Sequence, residues 1–178
     1  KGSGPFVFVP PFSYGIELDH VKNVTVKDVD VFDFSYGIFV NNSTDSNIQK
    51  VNSSGNTISN IYLLDSSQIS VAKSTFMKSS SSQGGIFVKG GGGNYFSNDA
   101  SLLNLYYGAV INSTNNTFEH DSIVSNKVGD LICYGSSGFV KANLFTNTSC
   151  ESNIGCESAS CSVRNLPVNL SQVVLKPG

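Results

Sequence analysis

The sequence predicts an all-β fold, a right-handed parallel β-helix, from three observations. Turn-led apolar segments return every 22 to 24 residues along the chain. Ser and Asn dominate the polar residues, 29 and 19 among 178, poor material for helices, while plentiful aromatic and β-branched residues suit strands. Neither Asn-Gly nor Asp-Gly occurs anywhere, so the hairpin signals expected of the main rival, a β-sandwich, are missing.

The coil starts are Tyr14-Gly15-Ile16-Glu17-Leu18, Tyr36-Gly37-Ile38-Phe39-Val40 and Asn60-Ile61-Tyr62-Leu63-Leu64. Gly84-Gly85-Ile86-Phe87-Val88, Tyr107-Gly108-Ala109-Val110-Ile111 and Gly129-Asp130-Leu131-Ile132-Cys133 continue the series. Each reads as a turn followed by a short strand with alternating apolar positions. A second apolar piece follows in most units, as in Val24-Thr25-Val26, Ile69-Ser70-Val71 and Phe139-Val140. A third carries Val29-Asp30-Val31, Ser74-Thr75-Phe76 or Asn143-Leu144-Phe145. Three strands per repeat with no helix between them define a solenoid. Six coils stacked about 4.8 Å apart span roughly 25 to 30 Å. Residues 1–162 are expected to form one β-helix domain. Within it, 1–13 is an extended segment or cap and 129–162 a disulfide-closed end, and 163–178 is an extended tail.

Charged residues are 13% and the formal net charge is −2. No basic field is available for nucleic acid, and no apolar run is long enough to span a bilayer. The start at Lys1-Gly2-Ser3-Gly4 has no apolar leader and reads as a mature form or a piece of something larger. Cys133, Cys150, Cys156 and Cys161 form an even cluster in the last quarter, which predicts two disulfides with three pairings open. The competing zinc site lacks a Cys-x-x-Cys pair, and His20 and His120 lie far from the cysteines in sequence. Asn-x-Ser/Thr sequons fall at Asn23, Asn41, Asn42, Asn52, Asn112, Asn115, Asn147 and Asn169. Cysteines and sequons together point to an extracellular glycoprotein at a cell surface.

The Tyr-Gly-Ile starts and the Asn/Ser-rich, Val/Ile-punctuated coils resemble the parallel β-helix repeats of pectate-lyase-like proteins. They look most like the arrays of NosD-like and other secreted surface proteins, over residues 14 to 147. The resemblance implies the fold and leaves the chemistry open, because that superfamily spans lyases, hydrolases, epimerases, tailspikes and non-catalytic proteins. Lyases of this kind need clustered carboxylates for calcium and a basic residue to take a proton. Here the carboxylates form no column on successive coils, and the single arginine, Arg164, lies in the tail. Polygalacturonase-like hydrolases need paired Asp with Gly-His-Gly and Arg-Ile-Lys segments, and neither segment occurs. Tyr14-Gly15-Ile16-Glu17-Leu18-Asp19-His20 faintly resembles the Tyr-Gly-x-Asp-Pro-His signature of alginate epimerases. The His is displaced by one, onto the other strand face, and Asp-Pro is missing. Glu119-His120-Asp121 reads as a polar turn, and Gly90-Gly91-Gly92-Gly93 as a flexible turn without the Lys-Ser/Thr of a phosphate loop. No catalytic residue, cofactor or metal is expected.

Strand alternation places Ile16, Leu18, Ile38, Val40, Ile61, Leu63, Ile86, Val88, Ala109 and Ile111 inward. The outward column then reads Glu17, Phe39, Tyr62, Phe87, Val110 and Ile132. Five of these six are apolar on a face that should meet water. Phe39, Tyr62, Phe87, Val110 and Ile132 are therefore the expected interaction surface, for another subunit or for sugar rings. Two alternatives stand beside this. The tail Val163 to Leu175, or Phe6-Val7-Phe8-Val9, covers the column, or the register is off by one. The expected function is structural or adhesive and non-catalytic, a subunit of a fibre or surface layer assembling head to tail through an extended terminus. The rival functions are a carbohydrate-active lyase or epimerase and a passive glycan-binding module.

Overall fold

A computed structural model describes residues 12–134 and 143–156. The first coil holds β1 (Tyr14–Asp19) and β2 (Thr25–Phe32), the second β3 (Tyr36–Asn41) and β4 (Asn47–Ser54). In the third, β5 (Ser59–Leu64), β6 (Ser70–Ala72) and β7 (Thr75–Met77) follow one another. The fourth has β8 (Ile86–Gly92), β9 (Tyr95–Ser97) and β10 (Ala100–Leu102), and the fifth β11 (Tyr107–Thr114), β12 (Thr117–Glu119) and β13 (Ser122–Val124). The sixth has β14 (Gly129–Cys133), β15 (Leu144–Thr146) and β16 (Ser149–Cys150), after which β17 (Asn153–Ile154) opens another turn. One sheet runs β1-β3-β5-β8-β11-β14-β17 and the other collects the remaining ten strands. Every pairing is parallel and joins equivalent positions of successive coils, as in Ile16 with Ile38 and Ile38 with Ile61. This is the parallel β-helix that the repeat predicts. Three strand positions per coil become two sheets because β4 runs unbroken past both β6 and β7. The step from third to fourth coil reaches 25 residues, longer than the sequence spacing implies. Residues 79–84 add a turn there, closed by the Gly84 N–H on the Ser81 carbonyl at 3.0 Å.

The interior follows from strand alternation. Leu18, Ile38, Val40, Ile61, Leu63, Ile86, Val88, Ala109 and Ile111 all lie in one buried cluster, with Ile16 packed against it. The second sheet adds a stack of rings, Phe96 on Phe118 at 4.4 Å and Phe118 on Phe145 at 5.0 Å between centroids. The third strand position alternates Ser53, Phe76, Ser101 and Ile123, small beside large. Ser53 and Ser101 donate their hydroxyls to the carbonyls of Asn60 and Gly108, at 2.8 and 2.6 Å. That approach needs glycine at Gly37, where a Cβ would stand 2.0 Å from the Ser53 hydroxyl.

Corners explain the richness in Asn and Asp. The backbone turns through left-handed conformations in stacked columns. One column is His20, Asn42, Asp65 and Gly90, and another is Asn23, Asp45, Gln68, Gly93 and Asn115. A third runs Asp28, Lys50, Lys73, Asn98, His120 and Asn147, and a fourth Asp33, Gly55, Lys78, Leu103 and Ser125. Asn and Asp tolerate this region because their short polar side chains bond locally. Inside the corners, side chains of one coil cap the backbone of the coil before. Asn94, Asn116 and Asn143 form such a ladder. The Asn94 amide donates to Asn116 Oδ1 at 2.9 Å, and the Asn116 amide to Asn143 Oδ1 at 3.0 Å. Buried corner N–H groups thereby find partners that a turn alone would not supply.

Cys133 and Cys156 form a disulfide across 23 residues of sequence, tying the sixth coil to the next turn. Cys150 is also disulfide-bonded, and Cys161 lies outside the described residues. Replacing Cys133 and Cys156 together by Ser is expected to lower stability by about 3 kcal/mol, the loop-closure value for this separation. The readout is a lower urea midpoint at unchanged slope. An unchanged midpoint would show that the end of the solenoid holds without the bridge.

Candidate functional site

The predicted outward column occupies the outer face of the first sheet, but it is not the open surface that strand alternation leads one to expect. Tyr62, Phe87 and Val110 are 7, 5 and 2% exposed, and Phe39 and Ile132 are half-buried. With Tyr14, Tyr36, Ile58, Leu64 and Tyr107 they form a second apolar cluster, separate from the interior. Ring contacts link Tyr14 to Phe39 at 4.9 Å, Phe39 to Tyr62 at 5.4 Å and Tyr62 to Phe87 at 4.7 Å. Burial pushes the Tyr62 hydroxyl up to about 12. The face is therefore a packed layer of rings and aliphatic side chains. The two candidate covers, segments 6–9 and 163–175, lie outside the described residues, as does the terminus expected to mediate assembly.

The remaining sequence candidates separate in space. Glu17, Asp19 and His20 are exposed on the first coil. His20 Nδ1 lies 2.8 Å from Asp19 Oδ1, and the Asn41 amide donates to the same oxygen at 2.8 Å. That amide bond holds the Asp19 carboxyl below its ordinary value, assisted by His20. Glu119-His120-Asp121 splits as strand geometry requires, with Asp121 buried and its two predecessors facing out. The Tyr95 hydroxyl donates to Glu119, and Asn147 Nδ2 lies 3.2 Å from His120 Nε2. Of the sequons, Asn23, Asn42, Asn52, Asn115 and Asn147 are exposed, Asn41 and Asn112 are half-buried, and Asn169 lies outside the described residues.

Two interior carboxyls carry no sequence signature of their own. Asp99 and Asp121 are each 2% exposed and occupy successive rungs of one corner ladder. Asp99 Oδ1 accepts the Ser74 N–H at 2.7 Å, and Asp121 Oδ1 accepts the Asp99 N–H at 2.8 Å. Asp121 Oδ2 is buried without a hydrogen-bond partner. Desolvation, with the Asp121 charge adding to it, raises the Asp99 carboxyl to about 8, and desolvation raises Asp121 to about 7. Only the match of these positions to Ser74 and to the Asn rungs at other corners signals that they turn inward.

The family model described as periplasmic copper-binding protein (NosD) matches residues 12–157. The chain belongs to the NosD family. Among solved structures, this NosD-family chain is similar to the periplasmic alginate epimerase AlgG, at 11% identity and a TM-score of 0.53, covering 78% of this chain and 40% of that one. A mutant of AlgG matches at 14% identity and a TM-score of 0.50, covering 83% and 45%. These likenesses show the fold, and the chain spans less than half the length of either structure. No curated protein matches it. The family's description raises copper, which prefers clustered imidazole and sulfur ligands. Among the described residues, no three His, Cys, Asp or Glu converge. His20 and His120 stand at different corners four coils apart, and Cys133, Cys150 and Cys156 are oxidised to disulfides. These donors do not fit a copper ion.

Proposed function

We propose that this NosD-family chain is a non-catalytic structural β-helix, working outside the cytoplasm by presenting its coils to neighbouring molecules. One observation carries the reading: the carboxyls whose protonation is most perturbed serve the fold. Asp99 and Asp121 face the dry corner ladder, where a polymer substrate has no access, whereas a general acid must reach the group it protonates. Outward groups such as Glu17, His20 and Glu119 stand apart on the surface instead of converging in a groove. Disulfides at Cys133–Cys156 and Cys150 suit an oxidising compartment, and the periplasmic description of both NosD and AlgG supports the same placement. Glycans on the exposed sequons belong to this reading.

The purified chain is expected to leave uronate polymers unchanged, with and without calcium. Proton NMR of the polymer detects C5 inversion, and ultraviolet absorbance detects the unsaturated ends that a lyase leaves. Turnover above a heat-denatured control would replace the structural reading with the enzymatic one.

A further inference from the structure

The described residues carry a further exposed apolar patch. Leu103, Leu105, Tyr106 and Val128 are 45, 41, 38 and 53% exposed. They cluster because three coils meet there. The Leu105 N–H bonds Ser79, the Lys127 N–H bonds Asn104 and the Val128 N–H bonds Tyr106, at 2.8 to 3.0 Å. Leu103 and Leu105 line a surface pocket with Lys78, Ser80, Ser125 and Lys127, and no carboxylate lines it. Lys22, Lys27 and Lys50 each have an Asp partner within 4 Å, whereas Lys78 and Lys127, like Lys73 and Lys89, make no ion pair among the described residues. Leu103 holds a left-handed backbone, φ 57°. It shares that conformation with the rest of its corner column, Lys78 at φ 59° and Ser125 at φ 59°.

The first coil carries the complement. Asp33 begins the corner column that Lys78 and Leu103 continue. Beside it Asp30 is exposed on β2 with Phe32 56% exposed, while Asp28 already pairs with Lys27 and Lys50 and Val29 stands in register with the buried Val51. This ridge is acidic and apolar where the pocket is basic and apolar.

We propose that the pocket of Lys78 and Lys127 docks the ridge of Asp30, Phe32 and Asp33 of a second copy of this chain. Phe32 seats against Leu103 and Leu105, while the Asp30 and Asp33 carboxylates face the two ammonium groups. Ridge and pocket share one corner column, so two copies can engage reciprocally, each ridge in the other's pocket. The inference rests on the structural reading above and names its contact surface.

Sedimentation velocity of the full chain over a concentration series tests it, with circular dichroism to verify folding. Wild type is expected to self-associate, less so at high salt. Reversing the pocket (Lys78→Glu with Lys127→Glu) or the ridge (Asp30→Lys with Asp33→Lys) is expected to weaken association by about tenfold or more, since like charges then meet. Mixing the two reversed variants restores it, because each pocket again meets an opposite ridge. A monomeric wild type, reversed variants that associate like wild type, or a mixture that fails to recover overturns the proposal. Turnover of a uronate polymer would instead strike the structural reading and leave this test standing.

Discussion

Ile38→Asp is expected to abolish the cooperative fold. Ile38 is fully buried and lies in register between Ile16 and Ile61. A carboxylate there meets stacked aliphatic side chains and gains no partner for its charge. Burying a charge without a partner costs several kcal/mol, comparable to the ~5–15 kcal/mol that holds a domain together. Loss of the far-ultraviolet β signal and of any thermal transition is the expected readout. Phe39→Asp is the control on the opposite face. Phe39 is half-buried and touches Tyr14 and Tyr62, so the variant loses ring packing but keeps its charge partly wet. A cost of about 1–3 kcal/mol follows, with the fold retained. Equal damage from both substitutions would mean that the outer cluster is as dry as the interior.

Asp99 and Asp121 should make the protein less stable as pH rises through neutrality. Both carboxyls are raised from 3.8, to about 8 and about 7. Between those limits the folded chain holds protons that the unfolded chain has released, so stability falls with increasing pH and levels off above the upper value. The N–H groups around the pair favour the carboxylates and so limit the rise that desolvation causes. Asp99 takes N–H bonds from Ser74 and Ser97, Asp121 takes one from Asp99, and Thr148 on the next rung offers only a hydroxyl. No cation joins them among the described residues, while Glu119 adds like charge beside Asp121. Replacing both with Asn is expected to raise stability by about 2 kcal/mol or more at pH 8, and by much less at pH 5, on the scale of 1.4 kcal/mol per pKa unit. Asn suits the site because Asn94, Asn116 and Asn143 already fill equivalent rungs and pass hydrogen bonds from coil to coil. Urea unfolding at the two pH values reads the difference directly. A wild type whose stability climbs between pH 5 and 8 would contradict it.

Much of the interior is legible in the chain itself. Ile38, Val40, Ile61 and Leu63 announce it because a strand alternates faces every residue and a solenoid stacks like on like. The cysteine cluster announces disulfides, although four cysteines leave the pairing undetermined. The outward direction of Phe39, Tyr62 and Phe87 follows from the same alternation, but their burial does not. Tyr36, Leu64 and Tyr107 from other columns pack into the same cluster, and a strand pattern carries no information about such cross-column contacts.

The period, the strand faces and the lack of the signatures that the fold's known enzymes carry are all one-dimensional properties. Spacing and the two-residue repeat of a strand are enough to set them. Which polar residues are spent inside is a three-dimensional matter. Asp121 and His120 are chain neighbours of similar polarity, yet one is buried in a ladder and the other stands in water. Lys50 and Lys78 are likewise alike in composition, yet only Lys50 finds a carboxylate among the described residues. The physical reason is that a left-handed corner redirects each following side chain, and the coil one turn away, more than twenty residues distant in sequence, supplies its partner.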